Sequence, residues 1–178
     1  MDFCLLHHRG GMMMKTKLFA LGILFFVFGC HENKIPAVKN LDIRRYMGLW
    51  YEIARLPNTF EKDLTRVSTV YSLRDNGQIK VVNRGSKAGK VKEITGVARA
   101  AVPGTGELEV SFFRPFYAAY RIIKLAPDYR YSIVTGSNKK FLWILARKKT
   151  LSQEDLKEIK DFLKNHHFPA EKLIWSWK

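Results

Sequence analysis

Apolar and polar positions alternate in eight short runs between residues 49 and 147, the period expected of β-strands. The first covers 49–56. The second, 65–74, puts Val67, Thr69, Tyr71 and Leu73 on one face and Arg66, Ser68, Ser72 and Arg74 on the other. The third covers 78–84, with Ile79, Val81 and Asn83 together. The fourth, 92–102, aligns Gly96, Ala98 and Ala100, small side chains that should leave room beside them. The fifth, 107–113, aligns Leu108, Val110 and Phe112. Runs at 118–125, 129–136 and 141–147 are apolar on both faces, so an outer cover is expected there. Leu156, Ile159, Phe162 and Leu163 supply one, recurring at helical spacing behind Ser152, which is set to cap a helix ending near Asn165. A helical turn over 41–47 and a short strand over 172–177 flank this core.

Turn residues separate the runs. Asp75-Asn76-Gly77 predicts a tight type I′ hairpin. Pro103-Gly104-Thr105-Gly106 and the segments 86–91, 114–117, 126–128 and 137–140 make the other connections. With no βαβ alternation, the pattern predicts an all-β fold of antiparallel strands. Eight such strands can close into an up-and-down barrel with the C-terminal helix packed outside, which removes exposed edges and encloses about one small ligand. A β-sandwich has the same periodicity.

Upstream, Lys15 and Lys17 precede an apolar run from Leu18 to Gly29, the form of a secretory signal. It is shorter than the roughly 20 residues a membrane-spanning helix needs. Met12, Met13 and Met14 are all candidate starts. Val27-Phe28-Gly29-Cys30 resembles a bacterial lipobox, which implies cleavage before Cys30 and its modification by acyl chains such as palmitate. His31, rather than an aspartate, then favours the outer membrane in the enterobacterial sorting pattern. The expected division is a signal over 1–29, a lipidated tether over 30–40 and a barrel domain over 41–178. Cys4 would leave with the signal, so no disulfide is expected.

With 31 Lys and Arg against 16 acids, the formal charge is +15. The export address argues against nucleic acid as the partner and leaves an anionic lipid surface, or solubility alone. No cofactor or metal is called for: His166 and His167 are adjacent and do not face one site.

Gly48-x-Trp50, continuing as Tyr51-Glu52-Ile53-Ala54-Arg55, resembles the first-strand signature of the lipocalins. Val67–Asp75, Val110–Tyr117, Tyr129-Arg130-Tyr131, Leu142–Arg147 and Lys172–Trp175 extend the resemblance to bacterial outer-membrane lipocalins over nearly the whole exported chain. The second lipocalin motif departs, reading Ala126-Pro127-Asp128-Tyr129 without its threonine. The resemblance implies a barrel closed at the Gly48 and Trp50 end, with Arg147 over Trp50 as a structural pair. It also puts 57–64, 86–91, 114–117 and 136–140 at an open mouth. Phe60, Phe116 and Tyr117 are then mouth aromatics beside the cation Arg114, and Phe112, Tyr120 and Trp143 are candidates for the inner wall. Such a mouth suits an acyl chain with an anionic or zwitterionic head.

The expected function is binding of a fatty acid or lysophospholipid for storage, transport or membrane maintenance, an activity class the resemblance implies. An envelope interaction protein with a filled barrel is the alternative, and Gly96, Ala98 and Ala100 argue against it. A lysophospholipid-modifying enzyme has little support: there is no Gly-x-Ser-x-Gly elbow and no further thiol. The sequence leaves the oligomeric state open, a homodimer included.

Overall fold

The computed structural model describes residues 35–177. The signal, the Cys30 anchor and the tether as far as residue 34 lie outside the described residues. Eight strands follow in order: β1 Gly48–Arg55, β2 Thr65–Leu73, β3 Ile79–Lys87, β4 Lys90–Ala100, β5 Glu107–Phe113, β6 Phe116–Leu125, β7 Tyr131–Thr135 and β8 Leu142–Ala146. Each pairs antiparallel with the next, and β1 pairs with both β8 and β2, so the sheet closes into a barrel. A sandwich is thereby excluded. A ninth strand, β9 (Ile174–Trp175), lies outside the barrel on β1. It fills the gap where β1 and β2 diverge: the Ser176 amide donates to the Ile53 carbonyl at 3.0 Å, and the Ser176 carbonyl accepts from the Arg66 amide at 2.9 Å.

Short α1 (Ile43–Tyr46) enters β1 under an Asp42 cap, whose carboxylate accepts from the Arg44 amide at 2.9 Å. The long helix α2 (Gln153–Asn165) begins as the Ser152 signal predicts, with the Ser152 hydroxyl accepting from the Asp155 amide at 3.0 Å. Asp155 also holds Arg130 at 2.8 Å, fixing the helix start to the β6–β7 connection. Its apolar stripe, Ile159 and Leu163, packs on Ile53, Ala54, Tyr131, Ile133, Ile144 and Ala146. That accounts for strands apolar on both faces: one face fills the barrel and the other is roofed by α2.

The register shifts at four points, and two of them, in β1 and β6, serve this roof. β1 pairs Glu52 with Leu145 and then Ala54 with Ile144, a bulge that absorbs Ile53. Ile53 and Ala54 therefore both join the cluster under α2, while Glu52 and Arg55 both point inward. β6 makes a similar shift between Ile122 and Lys124. There Lys124 reaches α2, its amine 2.8 Å from Glu158.

Three local expectations change. The Asp75-Asn76-Gly77 turn is not type I′: only Gly77 has positive φ, +77°, and the Gly77 amide donates to the Arg74 carbonyl at 2.9 Å. This is a type I turn followed by a glycine bulge, a three-residue loop. Residues 86–91 are not a mouth loop. The β3–β4 ladder runs on to Lys87 and Lys90, and Ala88-Gly89, both at positive φ, turn the chain. The tether expected over 30–40 is docked from Ile35 onward. The Arg121 guanidinium donates to the Ile35 carbonyl at 2.7 Å, the Val38 amide to the Ile122 carbonyl at 2.9 Å, and the Leu41 amide to the Gly104 carbonyl at 2.9 Å. Residues 35–41 thus run down the outer wall toward the Gly48 end.

Candidate ligand chamber at the open end

The up-and-down course puts residues 56–64, 88–89, 114–115 and 136–141 at one end, and 74–78, 101–106 and 126–130 at the other. The second end is closed. Trp50 is fully buried, and its indole donates to the Tyr46 carbonyl at 2.7 Å. The Arg147 guanidinium lies 3.9 Å from the centre of the Trp50 ring and donates to the Leu49 and Arg45 carbonyls at 2.9 and 2.7 Å. Gly48 sits at φ +92°, beside Arg147, a backbone conformation that side chains resist. Tyr129, where the second motif departs, caps the same end: its hydroxyl accepts from the Asp42 amide at 3.0 Å and its ring lies 4.2 Å from the Arg45 guanidinium.

Above this floor, Tyr120 joins two phenols. Its hydroxyl lies 2.9 Å from that of Tyr46 and 2.8 Å from that of Tyr71, and the Tyr46 hydroxyl is 3.1 Å from that of Ser132. Burial of their hydroxyl ends pushes all three phenols up, Tyr46 to about 12, so the network is neutral. It forms a polar shelf across an apolar interior.

The half toward the mouth differs. Register puts Ile94, Val110, Phe112, Ala118, Tyr120 and Trp143 on the inward face, by their pairing with Asn83, Ala98, Leu108, Val134 and Arg55. None of the six is buried, and Ile94 and Ala118 are exposed. The floor residues Ile79, Val81, Ala98, Leu108 and Ile122 on the same inward face are all buried. The interior is therefore solid below the shelf and open above it. Gly96 does not leave the room expected of it, because the Phe112 ring occupies that space: an added Cβ would come within 2.7 Å of it.

A buried charged cluster ties the mouth loop to the barrel. The Arg55 guanidinium donates to Glu52 at 2.6 Å and to the Glu61 and Leu64 carbonyls at 2.8 and 3.0 Å. Ser176 donates to the same Glu52 carboxylate. Glu61 accepts from the Trp143 indole at 2.9 Å and from the Asn58 amide group at 2.7 Å. Two carboxylates thus share one guanidinium out of water. Burial and the nearby Glu61 push Glu52 up to about 7.

The predicted residues fall into three groups. Phe112, Tyr120 and Trp143 face the interior. Phe60 and Arg114 stand at the mouth, Phe60 5.9 Å from Phe141 and 6.2 Å from Trp143. Phe116 is at the β5–β6 tip, largely in solvent. Tyr117 is not a mouth residue facing a ligand: it lies on the outer wall with the Arg99 guanidinium 4.1 Å from its ring, because β6 alternates and Phe116, Ala118 and Tyr120 take the inner parity. Sequence reasoning missed Ile94, Val110 and Ala118, although at period two Val110 aligns with Phe112, Ala118 with Tyr120, and Ile94 with Gly96 and Ala98. It also missed the Glu52–Arg55–Glu61 cluster. The signal for that was two opposite charges three residues apart in an apolar strand.

Among curated relatives, the outer membrane lipoprotein Blc of Citrobacter freundii is 39% identical over 88% of this chain and 92% of its own. The Escherichia coli K12 protein of the same name is 39% identical over 85% and 89%. Among solved structures, insecticyanin of the tobacco hornworm superposes with a TM-score of 0.66 at 22% identity, over 80% of this chain and 84% of that one. The chain is an outer-membrane protein, and its relatives are named as outer membrane lipoproteins. It is a binding protein for small hydrophobic molecules. A family model described as a lipocalin-like domain matches residues 41–178, and the chain belongs to that family.

Proposed function

We propose that the chamber above the Tyr46–Tyr71–Tyr120 shelf holds one acyl chain of a fatty acid or lysophospholipid, with its head group at the mouth. The observation that carries this reading is the contrast between buried floor residues and open, inward-facing Ile94, Val110, Phe112 and Ala118. Removing an acyl chain from water contributes about 25 cal/mol per Å² of apolar surface, before ordering costs. Phe60, Phe141 and Trp143 form the aromatic side of the entrance. Arg114 supplies positive charge at the mouth for an anionic or zwitterionic head. Attachment through acylated Cys30 would keep the barrel beside its source of lipid, in storage, transport or maintenance of the membrane.

Native mass spectrometry of membrane-extracted protein, followed by titration with palmitate and lysophosphatidylcholine, tests this. A bound acyl lipid at one per chain is expected. Ala118→Trp fills the chamber and should weaken binding at least about tenfold with the denaturation midpoint unchanged. Binding that ignores Ala118→Trp would overturn the chamber assignment, and a chain that takes up neither lipid would overturn the ligand class.

A further inference from the structure

The open rim carries a surface the ligand chamber does not need. Phe60, Val91, Phe113 and Phe116 lie in or beside three separate connections at the mouth end and are 63%, 77%, 74% and 78% exposed. No other large apolar side chain among the described residues exceeds 49%. Around them stand six exposed cations, Lys62, Lys87, Lys90, Lys92, Arg114 and Lys140. Two exposed acids stand near them, Asp63, 3.5 Å from Lys87, and Glu93, which pairs with Arg84. The closed end carries exposed cations too, Arg44, Arg45, Arg74 and Lys148 among them, but differs in its apolar content, with Val102 at 49% and Leu49 at 41% as its exposed large apolar side chains.

Chain direction adds an independent constraint. From Leu41 back to Ile35 the chain climbs the outer wall away from the closed end, and Ile35 is held at the level of Arg121. Five residue steps separate Ile35 from Cys30, and five separate Arg121 from Phe116 at the rim. At about 3.4 Å per residue each span is at most about 17 Å. An acylated Cys30 can therefore reach the plane of the rim, in the direction the wall segment already points.

We infer that the open end docks on an anionic lipid surface. Phe113 and Phe116 at the β5–β6 tip, with Phe60 and Val91, enter the head-group layer, and the ring of lysines and Arg114 contacts lipid phosphates. Aromatic side chains flanked by cations are the composition that binds such an interface. The chamber then opens into the bilayer and not into water. A lipid could pass between membrane and barrel without crossing solvent.

The test uses the acylated protein in vesicles containing phosphatidylglycerol, with a single environment-sensitive dye on Phe116→Cys or, at the closed end, on Val102→Cys. A quencher carried on lipid tails reads contact. Strong quenching at position 116 and little at 102 is expected. Lys90→Gln and Lys92→Gln should each weaken the contact about fivefold, from about 1 kcal/mol per lysine at a charged surface. Mass analysis of the N-terminal peptide reads acylation separately, and an unmodified Cys30 would remove the reach argument. Equal quenching at both positions, greater quenching at 102, or none at either overturns the proposal. Dye at 116 buried against a second copy of the chain, and shielded from the lipid quencher, also overturns it. None of these outcomes depends on whether the chamber binds an acyl chain.

Discussion

The two halves of this barrel are built from the same strands and differ in what their inward faces do. Near Gly48 the interior is filled by Trp50, Tyr46, Ile79, Val81, Leu108 and Ile122, and sealed from below by Arg147. Near the mouth the inward faces of Ile94, Val110 and Ala118 meet solvent, and order comes from a buried ion cluster at one side. Floor packing is apolar and close, so it tolerates little loss. The mouth is held by charges and hydrogen bonds around a space. Stability and room for cargo are thus separated along one axis.

The contrast can be broken by substitution. Trp50→Ala should have the largest effect, about 4 kcal/mol of lost stability in denaturant unfolding, because it empties the floor and strands the Tyr46 carbonyl and Arg147. Arg55→Met should cost about 3 kcal/mol, since it leaves Glu52 and Glu61 buried without their shared cation. If Arg55→Met proves the costlier of the two, the division between floor and mouth is wrong.

A pH series sharpens the same comparison with a smaller effect. The Glu52 value is raised from 4.5 to about 7, so the folded state binds this proton more tightly than the unfolded one. Its contribution is therefore most favourable below about 4.5 and is lost as pH rises to about 7. Unfolding midpoints measured across that window should fall with pH, and Glu52→Gln should flatten the decline. A decline of equal slope in Glu52→Gln would assign it to other groups. Phe116→Ser should have the smallest effect, within about 0.5 kcal/mol, because the ring is exposed at a hairpin tip.

The barrel, its outer helix and the Trp50–Arg147 stack were legible because they rest on period-two and helical patterns and on a short motif. The inward placement of Phe112, Tyr120 and Trp143 followed from the same parity. What was not legible came from departures from that parity. The bulge at Ile53 turns Arg55 inward, where alternation would face it out. Tyr117 was grouped with its neighbour Phe116 by sequence proximity, yet adjacent strand residues face opposite ways. Gly96 suggested empty space because its partner was unknown, and only pairing of β4 with β5 brings the Phe112 ring over it. The docking of residues 35–41 depends on long-range backbone bonds that no local composition announces.

The extra residue in β1 makes that strand a piece of two different objects. Its early residues belong to the vessel, and from Ile53 it also serves as bedding for α2. Pairing Ile53 straight across from Ile144, with no residue left over, would keep the strand's length and composition, yet would exchange the destinations of everything after it: Arg55 would be pressed beneath an oily helix with no carboxylate to meet, and Ala54 would take its place opposite Trp143. A change invisible to any tally of residue types would thus undo both the roof and the hold on the entrance at once.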